Sequence, residues 1–260
     1  MKNIIAVIPA RYNSSRLPGK PLLNFGEYTM IQRVYLQTIK SKYINKAYVT
    51  TDDERVKKSV ELIGGNVIMI DDECLNGTER IYLALQKLYR EEDIRDINII
   101  VNVQGDEPYI NPDHIDIAIE SYLSKKGKVN YQKLVCSTLH YQIEDVNEIN
   151  NPSIGKLVLN HQNDIMYCSR NVIPSNKKLE INKNQPYYGH IGVFIFDRNY
   201  LTEYMKQNTT YQLEEDIEWL KIIENGYSIN SSLVANVEIG VNTQEDYNYL
   251  EKKYKLRINY

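Results

Sequence analysis

Cysteine is scarce in this 260-residue chain: Cys74, Cys136 and Cys168 stand far apart, with no CxxC pair and no metal-ligand spacing. An odd, scattered set excludes a disulfide framework and reads as buried free thiols in a reducing, cytoplasmic compartment. Long apolar runs are lacking too. No stretch approaches the roughly eighteen unbroken apolar residues of a membrane helix, so no membrane association is expected. Ile4 to Ile8 runs straight into the polar Arg11-Tyr12-Asn13, which is not a signal-peptide pattern. Positive charge is not in excess: the net charge of −3 argues against nucleic acid or an anionic membrane as partner. The GxxxxGK[ST] phosphate loop is missing as well, which disfavours a P-loop kinase. Only three phenylalanines and one tryptophan accompany 22 tyrosines. With heavy Asn, Ile and Lys usage, that reads as a base-composition bias carrying no chemical message.

What is present suits one α/β domain over 1–260, with a lobe inserted from about 133 to 197. Apolar content of 42% allows a full core without disulfides or a structural metal. In the first half, apolar strand-like runs alternate with helical patterns. Strands are expected over Ile4 to Ile8, Ala47 to Thr51, Val67 to Ile70 and, most clearly, Ile97 to Val103. Helical spacing through Ile31, Val34, Tyr35 and Ile39, a helix capped by Asp52 and running to about Leu62, and another from Thr78 to Tyr89 separate them. Such β-α repeats force parallel pairing. After Lys133 strands crowd together, at Leu134 to Leu139, Lys156 to Leu159 and Ile191 to Phe196, suggesting a mixed or antiparallel sheet. Helices over Leu213 to Glu224 and Thr243 to Lys255 would then flank a strand near Leu233 to Val237, and Ser175 to Gln185 is the expected flexible loop.

In open parallel sheets ligands bind beyond the carboxyl ends of the strands. Two loops leave such ends. The first, Pro9-Ala10-Arg11-Tyr12-Asn13-Ser14-Ser15-Arg16-Leu17-Pro18-Gly19-Lys20, carries three cations that can converge on one polyanion. Arg supplies a planar fork for phosphate oxygens and Lys a compact charge. The second, Gln104-Gly105-Asp106-Glu107-Pro108, places a carboxylate where it could hold Mg²⁺ against phosphates, with Gly105 letting backbone approach the ligand. Alone, Asp106 is equally readable as a turn residue.

These segments, together with Asn76-Gly77-Thr78-Glu79-Arg80, Asn151-Pro152, Lys156, Tyr167-Cys168-Ser169-Arg170, His190-Ile191-Gly192 and Gly240-Val241, closely resemble the CMP-Kdo synthetases among the CMP-sugar cytidylyltransferases. The resemblance spans nearly the whole chain. It implies an α/β fold with an open, mostly parallel Rossmann-like sheet of the nucleotide-diphospho-sugar transferase type and a smaller mixed-sheet lobe serving dimerisation. It implies CTP and an acidic ulosonic sugar as substrates, Mg²⁺ as cofactor, a homodimer, and a place in lipopolysaccharide or related glycan synthesis. Arg11, Arg16 and Lys20 would meet the CTP phosphates beside Ala10, and Asp106 would hold the metal. Arg80 with the Asn76, Gly77 and Thr78 loop would recognise cytosine. Gln104 would touch sugar or nucleotide, and His190 and Glu215 would lie on the sugar side.

The chain departs from the family in its second half. The usual Gly-Val-Asp-Thr reads Gly240-Val241-Asn242-Thr243, so a metal-binding carboxylate becomes an amide that can offer only its carbonyl oxygen. The usual Arg-His reads Gly189-His190. Three readings stay open: ordinary CMP-Kdo synthesis with altered metal use, a modified sugar such as 8-amino-Kdo, or a weakly active or degenerate CTP-binding homologue; a non-enzymatic CTP sensor is the binding-module alternative. A purine-using sugar-phosphate nucleotidyltransferase would carry a Gly-rich GxGxR loop, and the loop over 9–20 has a single glycine.

Overall fold

A computed structural model describes residues 3–13, 17–91 and 96–258, and the chain divides into two compact units. The first holds 1–115 and 238–260, the second 116–237; the stretch from 133 to 197 lies inside the second.

In the first unit, strands β1 (Asn3–Pro9), β4 (Lys46–Thr51), β5 (Asn66–Met69) and β6 (Ile97–Val103) form a parallel sheet in the order β6-β1-β4-β5. A small antiparallel ribbon, β2 (Asn24–Phe25) with β3 (Tyr28–Thr29), follows the first loop. The helices α1 (Met30–Thr38), α2 (Glu54–Glu61) and α3 (Gly77–Glu91) pack on the sheet. Ala6, Val7, Ile8, Val49, Ile100 and Val101 are all but sealed from solvent. Strands covered on both faces read as unbroken apolar runs, which is why β1 and β6 were legible; β5, at the end of this order, is buried only at Ile68. Each of the valine and isoleucine side chains among these residues contributes roughly 1.5–3 kcal/mol on burial.

One cap differs from expectation. Asp53, not Asp52, caps α2: its carboxylate accepts from Arg55 N–H at 2.8 Å and pairs with the Arg55 guanidinium at 2.6 Å. The bonded guanidinium holds the Asp53 carboxyl below its ordinary range. Asp52 is left for another task.

The helix α4 (Pro112–Lys125), which no expectation covered, leads into the second unit. There β7 (Leu134–Ile143), α5 (Val146–Asn150), β8 (Lys156–Leu159), β9 (Ile165–Ser169), β10 (Tyr187–Asp197), α6 (Arg198–Lys206), α7 (Tyr211–Glu215), α8 (Leu220–Glu224) and β11 (Ser228–Leu233) follow in turn. The sheet is mixed: β7 pairs antiparallel with β10 and parallel with β11, while β10, β8 and β9 pair antiparallel. Residues 175–185 form turns without regular structure. The chain then returns to the first unit through α9 (Gln244–Ile258).

Two elements of this unit differ from the sequence reading. The helix expected over Leu213 to Glu224 breaks at Asp216, whose left-handed backbone (φ 51°) ends α7. Asp tolerates that conformation better than most residues, and Arg170 Nη2 donates to the Asp216 carbonyl at 2.7 Å. The strand expected near Leu233 to Val237 lies earlier, as β11. Its buried Asn230 and Ser231 are polar, but Asn230 donates to the Gln162 and Asn163 carbonyls and to Asp164, while Ser231 pairs with His140 at 2.8 Å. Satisfied polar groups can occupy a buried strand without cost in orphaned hydrogen bonds. Among the described residues no helix is long and apolar enough to cross a membrane.

Candidate active site

Three backbone segments meet at the carboxyl end of the first unit's sheet. The β1 strand extends one residue as Ala10 N–H donates to the Thr50 carbonyl at 2.9 Å. Beyond it the loop folds back on itself: Gly19 N–H donates to the Tyr12 carbonyl at 3.1 Å, with Gly19 at φ 71°. A side chain at Gly19 would be strained by that backbone and would press on the Tyr12 phenol. The short helical turn Lys20–Leu22 then aims the Lys20 ammonium at the β6 turn. Lys20 Nζ donates to Asp106 Oδ2 at 2.8 Å and to the Val241 carbonyl at 2.9 Å. Val241 N–H in turn donates to the Asp106 carbonyl at 2.8 Å. Lys20 and Asp106 side chains are only 16% and 23% exposed, so the pair is shielded enough to matter. Leu17, Phe25, Met30, Val241 and Leu250 form a small core beneath it, joined by Tyr109 and Tyr254, whose rings stack at 3.4 Å.

Gly105 has a packing reason of its own. A Cβ there would lie 2.6 Å from the Pro9 carbonyl oxygen. The glycine therefore lets the β6 turn close on the end of β1, bringing the Asp106 and Lys20 loops together. It makes backbone meet backbone.

The neighbouring loops carry the other expected residues. Arg11, exposed, donates to the Cys74 carbonyl at 3.3 Å. Arg80 is 2% exposed, donating through Nη1 to the Ile70 carbonyl at 2.8 Å and through Nη2 to Asp52 at 3.2 Å. Asp52 also accepts from Tyr12 N–H at 3.4 Å, and the Tyr12 ring lies 3.5 Å from the Arg55 guanidinium carbon. Asp52 thus ties the first loop to Arg80, a role no motif announced. Asn76 precedes α3 and its side chain accepts from Glu79 N–H at 2.9 Å; Gly77 and Thr78 form the helix's first turn. The Gln104 carbonyl accepts from Glu107 N–H. Arg16 lies outside the described residues.

The family model described as cytidylyltransferase matches residues 5–233. The chain belongs to the cytidylyltransferase family. It is 38% identical over 251 residues to the 3-deoxy-manno-octulosonate cytidylyltransferase of Protochlamydia amoebophila, an alignment covering 96% of this chain and 93% of that one. It is 34% identical to the 8-amino-3,8-dideoxy-manno-octulosonate cytidylyltransferase of Shewanella amazonensis, covering 98% and 99%. Among solved structures it is similar to a CMP:2-keto-3-deoxy-manno-octonic acid synthetase complexed with CTP, with a TM-score of 0.85, 30% identity, and 98% and 99% of the two chains covered. The chain is a nucleotidyltransferase with that family's α/β fold.

In this cytidylyltransferase the expected sugar-side residues lie in the second unit. Glu215 Oε1 accepts from Ser169 Oγ at 2.7 Å, and its Oε2 accepts from Arg170 N–H at 2.9 Å. Arg170 also donates to the Glu215 and Asp216 carbonyls and to that of Ser153. Lys156 is wholly buried, its Nζ held by the carbonyls of Asn151, Ile154 and Arg170. Burial pushes Lys156 down to about 8, and three acceptors suit the three protons of an ammonium. His190 meets the edge of Trp219 at 5.8 Å between ring centres, and Gly155 lies so close that a Cβ there would be 2.9 Å from the imidazole. Cys136 and Cys168 are buried free thiols pushed up by burial; Cys74 is only half-buried.

The fit of a divalent cation can be judged from Asp106. Lys20 takes one carboxylate oxygen, and no group of three or more His, Cys, Asp or Glu side chains gathers among the described residues. One carboxylate is within what Mg²⁺ uses, since it commonly takes one or two carboxylates and fills its shell with phosphate oxygens and water. Asn242 contributes its N–H to Asp246 at 2.9 Å.

Proposed function

We propose that this enzyme transfers the cytidylyl group of CTP to the anomeric hydroxyl of a Kdo-like 3-deoxy-ulosonic acid, releasing pyrophosphate. The observation that carries the reading is the Lys20–Asp106–Val241 junction, which puts a cation and a carboxylate on one sheet edge in a family of cytidylyltransferases. The hydroxyl oxygen bonds to the α-phosphorus as the bond to the bridging oxygen of pyrophosphate breaks, and the hydroxyl proton passes to solvent. Such a displacement needs positioning and charge neutralisation more than covalent catalysis.

Lys20 and Arg11 would meet the triphosphate, with Arg16 in the same loop. Asp106 and, through its amide oxygen, Asn242 would be the protein's ligands to Mg²⁺. Bound Mg²⁺ would supply charge neutralisation on the phosphate oxygens. The first turn of α3, ordered by the Asn76 cap, would face cytosine, and Arg80, with both terminal nitrogens engaged, would brace that turn from behind. Gln104 would touch sugar or nucleotide. His190 and Glu215 would serve the sugar, Glu215 by ordering Ser169 and Arg170. We further infer a cytoplasmic homodimer working in lipopolysaccharide or related glycan synthesis. The relatives' names favour Kdo or its 8-amino analogue as acceptor over sialic acids.

A pyrophosphate-release assay with CTP against Kdo, 8-amino-Kdo and sialic acids tests this. Release with one of the two octulosonic acids is expected. Thermal stabilisation by CTP without release from any ulosonic acid would instead mark a CTP-binding homologue without the activity.

A further inference from the structure

We propose that Asp246 is a positioning residue for Lys20, acting through the single peptide group that joins Val241 to Asn242. Asp246 Oδ2 accepts from Asn242 N–H at 2.9 Å and from Thr243 N–H at 2.8 Å. In a planar trans peptide the N–H and the C=O point in opposite directions. The N–H held by Asp246 and the Val241 carbonyl belong to one such unit, and that carbonyl accepts from Lys20 Nζ at 2.9 Å. The result is a continuous chain: Asp246 carboxylate, peptide 241–242, Lys20 ammonium, Asp106 carboxylate at 2.8 Å. Both ends of the peptide carry charge-assisted bonds, and bonds in series polarise one another.

A helix cap alone does not account for Asp246. Thr243 precedes α9, and its hydroxyl accepts from Asp246 N–H at 3.2 Å, so Thr243 and Asp246 form a reciprocal capping pair. That pair is complete with the Thr243 N–H. The second bond, to Asn242 N–H, reaches a residue outside the helix and adds nothing to the cap. What it fixes is the tilt of the peptide on which Lys20 docks. Val241 is fully buried and its own N–H, part of the preceding peptide 240–241, is bound to the Asp106 carbonyl, which leaves rotation about the Val241 Cα–C bond to set the tilt of peptide 241–242. Without Asp246 the carbonyl can swing, and the ammonium loses one of the two acceptors that aim it.

The inference rests on the reading that Lys20 meets the triphosphate. Steady-state kinetics on the full-length protein, with CTP varied, would compare Lys20→Met, Asp246→Ala, Asp246→Asn and Thr243→Ala alongside their thermal midpoints. Thr243→Ala removes the cap hydroxyl and keeps every N–H, so it should lower the midpoint and leave kcat/KM for CTP unchanged. Asp246→Ala should lower kcat/KM about tenfold, the scale of losing a hydrogen bond to a charged group. Asp246→Asn, which keeps an acceptor oxygen but not the charge, should fall between, and it serves alone if the alanine variant does not fold. Equal kcat/KM for Asp246→Ala and Thr243→Ala, or an unimpaired Asp246→Asn, would overturn the proposal. If Lys20→Met itself leaves kcat/KM unchanged, the underlying reading of Lys20 fails first.

Discussion

Gly105 shows how a single missing side chain can assemble a site. Its absent Cβ would lie 2.6 Å from the Pro9 oxygen, a distance that only backbone movement could relieve. Gly105→Ala should therefore cost on the order of 1–3 kcal/mol in urea unfolding, the scale of overpacking a tight contact. It should also part Lys20 from Asp106 and so depress turnover. An unchanged unfolding midpoint would mean the two loops adjust freely. Asn242 is the other residue with a clear expectation. If its side chain serves the metal, Asn242→Asp restores a charged ligand and lowers the Mg²⁺ concentration giving half-maximal rate. An unmoved titration curve would remove position 242 from the ligand set. The meeting of the Lys20 and Asp106 loops was legible because both leave the carboxyl ends of strands in one parallel sheet, although Asp106 alone reads equally as a turn residue and the contact of Gly105 with Pro9 was not foreseen. Asp52 and Asp246 were harder to see, since each acts through a backbone N–H or another side chain. Only the Thr243-x-x-Asp246 spacing hints at the second.

Among the elements, legibility followed burial. β1 and β6 read as apolar runs because both faces are covered, whereas β11 hides buried Asn230 and Ser231 inside a polar segment. Nothing local marks the break at Asp216, which depends on Arg170 and Glu215 meeting from distant parts of the chain. The α4 helix carries helical spacing at Ile115, Ala118, Ile119 and Tyr122, all buried, with Pro112 at its start, so its pattern was present in the residues. The β7–β11 pair also carries a pH signature. Burial pushes His140 down to about 4 from the ordinary 6.5, so the folded sheet favours the neutral ring while the unfolded chain takes up a proton below 6.5. Its contribution is intact above pH 6.5 and is lost progressively as pH falls towards 4. Urea midpoints measured across that window should drop more steeply for the wild type than for His140→Gln. Parallel curves would show that His140 does not govern acid sensitivity.

For the molecule as a whole, each unit holds its own group of functional candidates. The first unit's group could be anticipated from the chain because two short loops at one sheet edge contain most of it. The second unit's group is built from side chains whose partners are remote in sequence, such as Ser169 with Glu215 and Lys156 with the Arg170 carbonyl. Resemblance could point to those positions, but only the fold shows Glu215 ordering a loop. If the Lys20–Asp106–Val241 junction seats the CTP triphosphate, removing the Lys20 ammonium must weaken CTP binding. Calorimetric titration of CTP with Mg²⁺ into wild type and Lys20→Met tests it most directly. An affinity at least about tenfold weaker is expected for the variant, as for losing a charge-assisted contact; equal affinities would mean that the triphosphate sits elsewhere.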